Sequence, residues 1–308
     1  MLDGSLEELD ALPNGAEAVR AGLWLRLGAD GVYARRGQYE TVVEALAALL
    51  SRHRPPQAEV LRFPPVMSRD QLQRAGYLKS FPHLLGCVSC LGGGESKVRG
   101  GVDALEAGRH DIDALDLTDL VLTPAACYPV YPLAAERGPV GAAGLLFDVA
   151  CDCFRREPSA DVDRMQSFRM REFVCIGTAA QTEDFRGRWI GQAKALAHQL
   201  GLPHHVEAAS DPFFGRGAPL MAMSQIEQSL KFELLIPIRS QGGPTACMSF
   251  NNHQDHFADV WDLRGAAGEA CHTACVAFGM DRLALALFST HGLHTNAWPH
   301  EVRQALRL

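Results

Sequence analysis

The chain has 308 residues, 47% of them hydrophobic, and carries 29 basic against 36 acidic side chains, a net charge of −7. That much apolar material suits one large domain or two small ones and excludes a disordered chain, while the acidic balance repels nucleic acid unless a local basic patch overrides it. The longest apolar runs, Ala45–Leu50 and Leu283–Phe288, are far too short to cross a bilayer. The opening MLDGSLEELD is acidic where a secretory leader is basic, so a cytoplasmic protein without membrane contact is expected.

Along the chain, Val43, Leu46, Ala47 and Leu50 form a helical stripe. Thr41 as N-cap, with Glu44 three residues on, predicts a helix over Thr41–Arg52. AEVLRFPPVM then reads as a short strand stopped by Pro64 and Pro65, because proline removes a ladder donor. Cys87-x-x-Cys90 has the spacing for two thiolates on one ion but lacks two further ligands, and the favoured reading is a buried pair beside a glycine turn. The nine cysteines, an odd number, exclude a fully paired disulfide framework.

LTDLVLTPA, GLLFDVACDCFR and QSFRMREFVCIG read as strands. FRGRWIGQAKALAHQLG reads as a helix ended by Gly201 and Pro203. Arg216–Leu230, with Leu220, Met223, Ile226 and Leu230 at near-helical spacing, predicts a helix that either packs on the core or forms a docking surface. KFELLIPI, TACMSF and HTACVAF are further strands, and MDRLALALFSTHG is a helix ended by Gly292. Strands separated by loops more often than by helices predict one continuous α+β domain with a largely antiparallel sheet flanked by helices.

Two stretches carry chemistry. In CFRREPSADVDRMQSFRMREF, strand alternation would align Arg155 with Glu157, and Phe168 with Met170 and Glu172. A hairpin would then merge the two faces. Arginine offers a donor fork for phosphate, glutamate accepts from an exocyclic amine, and an aromatic ring stacks on a purine, so together they describe an ATP pocket. The competing reading is a solvated strand face with incidental ion pairs. In AFGMDRLALAL, Arg282 falls in the first turn of a helix, where a cation is badly placed against the dipole unless an anion binds nearby. A local pair with Asp281 is the alternative.

These stretches resemble the signature motifs of class II aminoacyl-tRNA synthetases: motif 1 over about 41–66, motif 2 over about 148–177 and motif 3 over about 271–290, with Ala277 where motif 3 usually has its first glycine. Within that class the chain is similar to the seryl-tRNA synthetase core, with LTPAACYPVYP before motif 2 and KFELLIPI…CMSFNNHQ ahead of motif 3. The segment before the first helix contains Pro13 and several glycines, and is not expected to form the long helical arm that grips tRNA. This truncated pattern resembles the amino acid:[carrier protein] ligases.

The resemblance implies a catalytic Zn²⁺ on Cys127, Glu172 and Cys275, and ATP with Mg²⁺. Arg155 would hold the α-phosphate, Glu157 the adenine amine, Phe168 the adenine ring and Arg282 the γ-phosphate. Arg164, Met165, Lys231 and Ser249 would complete the nucleotide pocket. It also implies a small amino acid substrate, glycine or alanine, with Ala126, Ala274 and Ala277 near the site. The acceptor would be a phosphopantetheinylated acyl carrier protein rather than tRNA, and the enzyme a homodimer. The insertion over about 213–230 is the expected carrier-docking element, with Arg216, Arg186, Arg188 and Lys194 as steering cations. The alternatives are a non-catalytic synthetase-like regulator and an arm-less tRNA aminoacylase.

Overall fold

The computed structural model describes residues 16–110, 112–239 and 242–308; the acidic opening stretch and Pro13 lie outside them. The chain begins with α1 (Ala16–Leu23), a hairpin of β1 (Trp24–Arg26) and β2 (Tyr33–Arg35), α2 (Gly37–His53), β3 (Glu59–Arg62), β4 (Val66–Ser68), α3 (Arg69–Arg74) and α4 (Tyr77–Ser80). It continues through β5 (Cys87–Leu91), α5 (Glu95–Glu106), β6 (Leu115–Leu122), α6 (Val130–Ala135), β7 (Leu145–Phe154), β8 (Ser167–Gly177), α7 (Ala179–Gln199) and β9 (His205–Ala208). The last part is α8 (Ala218–Glu227), β10 (Lys231–Ile236), β11 (Thr245–Gln254), α9 (His256–Trp261), β12 (His272–Gly279), α10 (Met280–His291) and α11 (His300–Leu306). Among the described residues no helix is long and apolar enough to cross a membrane.

Seven strands form the central sheet in the order β3-β7-β8-β12-β11-β10-β9. Every neighbouring pair is antiparallel except β3 with β7. The α+β expectation with a largely antiparallel sheet is met. A second sheet, β4-β6-β5, lies outside it.

The period-two alternation of the central strands divides the sheet into an apolar and a chemical face. Phe173 and Cys175 of β8, Ala274, Val276 and Phe278 of β12, and Met248 and Phe250 of β11 belong to one buried cluster with residues of α2, α7 and α10. The alternate residues Phe168, Met170, Glu172, Cys275, Ala277, Ser249 and Asn251 line a cavity on the other face.

Several local expectations shift. The first long helix starts at Gly37, not Thr41, and Arg36 precedes it without a side-chain cap. Thr41 sits inside the helix, where its hydroxyl donates to the Gly37 carbonyl at 3.0 Å, so it cannot cap. The helix containing FRGRW starts six residues before Phe185, because Thr178 and Gln181 form a reciprocal capping box that satisfies two orphan backbone donors. Gly201 and Gly292 adopt φ of +62° and +88°, the left-handed conformations that let glycine end the two helices where they were expected to stop. On α8 no residue is buried: Leu220, Met223 and Ile226 are 72%, 55% and 45% exposed, so the core-packing reading of that stripe does not hold.

Two buried carboxylates join the layers. Asp148 of β7 accepts from Arg171 of β8 (Nε–Oδ1 2.8 Å), and Arg171 also donates to the Ala47 carbonyl (2.6 Å) and the Ser51 hydroxyl (3.0 Å) of α2. Asp281 of α10 pairs with Arg169 (2.6 Å) and Arg35 (3.0 Å). Removing one partner of such a pair strands the other charge in the interior. Asp148→Ala is expected to cost about 3–5 kcal/mol in urea unfolding. Arg137→Ala, which breaks the half-exposed pair with Glu59, should cost less than about 1 kcal/mol.

Candidate active site

β8 and β12 bring together three residues far apart in sequence. Glu172 of β8 pairs in register with Ala277 of β12, two positions along from Cys275 on the same strand, while Cys127 arrives from the loop before α6. Their ligand atoms lie within 4.8 Å of one another, and all three residues are buried. The Cys127 backbone N–H donates to Glu172 Oε1 at 3.0 Å.

Burial pushes the Glu172 carboxyl above its usual range against the pull of hydrogen bonds from Cys275 and Cys127. The hydrogen bond with Cys275 lowers the Cys127 thiol, but burial and the Glu172 charge drive it up overall. Cys275 is raised well above an ordinary thiol by its hydrogen bond to Cys127, by burial and by Glu172. Three groups that resist ionisation together are what a bound cation would relieve, since metal binding displaces the protons. The buried Tyr131 hydroxyl adds a second sign: among the described residues it has no hydrogen-bond partner of ordinary geometry, and it interacts with Cys127, Cys275 and Glu172. Two sulfurs and a carboxylate fit a metal with an open fourth position. Among the described residues this is the one group of three or more such side chains close enough to hold an ion.

Cys87 and Cys90 do not join it. Both are exposed on β5, which corrects the expectation that they are a buried pair. Cys151 and Cys153 lie on one face of β7 with sulfurs 3.9 Å apart.

The cavity, about 420 Å³, runs from the three ligands past Arg155, Glu157, Met165, Phe168, Lys231, Ser249 and Arg282. Arg155 and Glu157 meet there by a route other than strand alternation. β7 ends at Phe154, Arg155 N–H donates to the Gln166 carbonyl at 3.0 Å, and a tight turn takes Glu157 N–H to the Arg155 carbonyl at 2.7 Å. Arg155 Nε donates to the Pro124 carbonyl (3.0 Å), and its guanidinium lies 5.5 Å from the Phe168 ring centre. Burial lowers the Arg155 pKa, but Tyr77, Cys153, Asp211 and Glu157 outweigh it and hold the charge. Arg282 is fixed by the Asp163 carbonyl (2.9 Å) and the Ala246 carbonyl (3.0 Å), so the local pair with Asp281 is not what holds it.

Other expected residues fall elsewhere. Arg164 turns outward and pairs with Glu157 at 3.4 Å instead of lining the cavity. Ala274 belongs to the opposite, core face of the sheet, Ala126 is packed in the core around α6, and Ala277 alone of the three lines the cavity. Arg186 is buried, with Glu183 at 2.7 Å and the Ser229 carbonyl as partners, so it cannot act as an exposed steering charge.

Sequence reasoning missed Asp211, Gln225, Asn251 and His253, all of which line the cavity. Asp211 pairs with Lys231 at 2.6 Å, Glu233 holds the same ammonium at 2.9 Å, and Gln225 of α8 clamps Asp211 through its backbone N–H (2.7 Å) and its carboxylate (2.9 Å). Extending the alternation from Ser249 would have reached Asn251 and His253. Burial pushes the His253 pKa down to about 4, so the ring is neutral at pH 7.

No protein-family model matches the chain. Its fold superposes over 94% of its length on a seryl-tRNA synthetase from M. kandleri, solved in complex with A. aeolicus tRNASec, with a TM-score of 0.78 at 22% identity. The architecture is therefore that of the class II synthetase catalytic core, and the chain spans 59% of that synthetase. Amino acid–[acyl-carrier-protein] ligases 1 and 2 of Bradyrhizobium diazoefficiens are each 59% identical over 286 residues, covering 93% of this chain and 88% and 86% of their own. The chain belongs to the amino acid–[acyl-carrier-protein] ligase family and is an enzyme of that kind.

The burial pattern orders the thiols by reactivity. In metal-free protein at pH 8, iodoacetamide should label Cys87 and Cys90 first, and Cys127 and Cys275 much later, because the thiolate is the nucleophile and burial suppresses it. Peptide mapping of a labelling time course checks the order; early modification of Cys275 contradicts it.

Proposed function

We propose that the protein joins glycine or alanine to ATP as an aminoacyl adenylate and passes the aminoacyl group to the phosphopantetheine thiol of an acyl carrier protein. The observation that carries this reading is the convergence of Cys127, Glu172 and Cys275 with Arg155, Phe168 and Arg282 around one cavity in a member of this ligase family. Zn²⁺ held by the three ligands would offer a coordination position to a neutral α-amino group, selecting substrates with a free amine.

The remaining chemistry is positioning and charge stabilisation. A substrate carboxylate oxygen attacks the α-phosphorus of ATP and pyrophosphate leaves. Arg155 faces the α-phosphate, Arg282 the γ-phosphate, Glu157 the adenine amine and Phe168 the ring, with Met165, Ser249 and Lys231 as further walls and Mg²⁺ on the nucleotide. The carrier thiolate then attacks the carbonyl carbon, a thioester forms and AMP leaves. Tyr131 stacked on Phe257 at 3.8 Å and the half-buried His253 crowd the metal end, which favours a substrate with little or no side chain. Functional assembly as a homodimer in the cytoplasm, with no tRNA acceptor, is part of the same reading.

Pyrophosphate exchange screened over twenty amino acids should respond to glycine or alanine. Arg155→Ala and Arg282→Ala should each reduce it by about 100-fold or more; inertness with every amino acid would favour a non-catalytic regulator. Purified protein should hold about one zinc per chain, lost in Cys275→Ala and kept in the Cys87→Ser, Cys90→Ser double variant.

The exposed stripe Leu220, Met223 and Ile226 on α8 supports carrier docking over 213–230, beside the cavity that Met221 and Gln225 line. Arg216, Arg188 and Lys194 are exposed and suited to attract an acidic carrier. Leu220→Asp with Met223→Asp, or Arg216→Glu, should slow aminoacyl transfer about tenfold or more with exchange unchanged. Equal loss in both half-reactions would make α8 structural.

A further inference from the structure

The pairing of β11 with β12 is regular from Met248 to Asn252 and then slips, so that Asn252 faces Ala274 but Gln254 faces Thr273. His253 is the extra residue of this bulge, and Gln254 follows it with φ of +52°. A bulge beside a site re-aims the side chain that it carries. Here it turns a half-buried imidazole across the strand boundary onto two atoms of β12: Nδ1 lies 3.0 Å from the Thr273 hydroxyl and Nε2 lies 3.8 Å from the Cys275 sulfur. Asn251 Nδ2 donates to the same sulfur at 3.4 Å.

We infer that Asn251 and His253, with Thr273 behind His253, are positioning residues that hold Cys275 as a thiolate metal ligand. This rests on the metal reading of the Cys127, Glu172 and Cys275 cluster. In a neutral imidazole one ring nitrogen donates and the other accepts. In this inference the buried Thr273 hydroxyl, 3.0 Å from Nδ1, donates there and leaves the hydrogen on Nε2. That hydrogen then points at the sulfur. Two N–H donors on one sulfur stabilise its anionic form and restrict its direction, as outer-shell partners do for metal ligands in general. None of the three side chains contributes a ligand atom to the metal cluster itself.

The experiment uses whole protein loaded with zinc or with Co²⁺. Thr273→Val keeps the shape of the side chain and removes the hydroxyl; His253→Phe keeps a ring and removes the donor; Thr273→Ser restores the hydroxyl. Zinc affinity is read by competition with a chromophoric chelator, and the sulfur-to-cobalt charge-transfer band by absorbance. Thr273→Val and His253→Phe should weaken zinc binding about 10–100-fold and move the band to longer wavelength, since a thiolate without donors is easier to oxidise. Thr273→Ser should match the parent protein. If the parent holds no metal, the metal reading falls and this inference with it. If the parent holds zinc while Thr273→Val and His253→Phe bind it equally well with an unmoved band, this inference alone is overturned.

Discussion

A carboxylate with almost no exposure to water must be neutral, hydrogen-bonded or matched by a cation, and Glu172 sets that demand at the centre of the molecule. The hydrogen bond from the Cys127 backbone accounts for one oxygen, and hydrogen bonds from the Cys127 and Cys275 thiols also favour the carboxylate, but burial outweighs them. The surrounding architecture follows from meeting this demand. A central strand is needed to carry the carboxylate, a neighbouring strand in fixed register to bring Cys275, and a well-packed loop to bring Cys127. The same enclosure makes the cluster costly without a cation and, on the proposed reading, favours binding one.

The rigidity for this comes from the opposite side of the sheet. Phe173, flanked by Glu172 in sequence, packs against Trp189 of α7 and Phe278 of β12 with ring centres 4.8 and 5.4 Å apart. Arg171, on the other flank, is locked to Asp148 and α2. Glu172 therefore sits between two residues that cannot shift without breaking core contacts or a buried ion pair. Arg169 does the same one step earlier, where Asp281 joins β8 to the helix that carries Arg282. The cavity-lining Phe168, Met170 and Glu172 are braced by neighbouring positions on one strand.

Much of this was legible in the sequence because period-two alternation and the three synthetase-like motifs are local. The strands around 145–177 and 272–279, the cavity face of Phe168, Met170 and Glu172, and the helix stops at Gly201 and Gly292 all followed from nearest-neighbour chemistry. What escaped depends on partners distant in sequence. Nothing in SDPFF shows that Asp211 will meet Lys231 and Gln225. The burial of Arg186 depends on the Ser229 carbonyl 43 residues away. The His253 bulge arises from pairing between two strands, so no single-strand pattern encodes it. Thr41 illustrates the reverse hazard: its capping chemistry is real in isolation, but the helix continues one turn further because Tyr39 is buried against α10, with its hydroxyl on the Asp281 carbonyl at 2.7 Å.

The two-sided character of β8 also bears on how the chain can change length. Along Met170–Phe173 every step of one residue exchanges the cavity for the interior, so inserting or deleting a single residue would present Arg171 or Phe173 to the cavity and drive Glu172 into the aromatic core. The loop between β7 and β8 and the segment around α8 have no such parity, since their backbone does not feed side chains alternately to two environments. Length changes in those segments are limited only by the cavity residues they carry, Arg155, Glu157, Met165, Asp211 and Gln225, whereas β8 tolerates substitution rather than insertion.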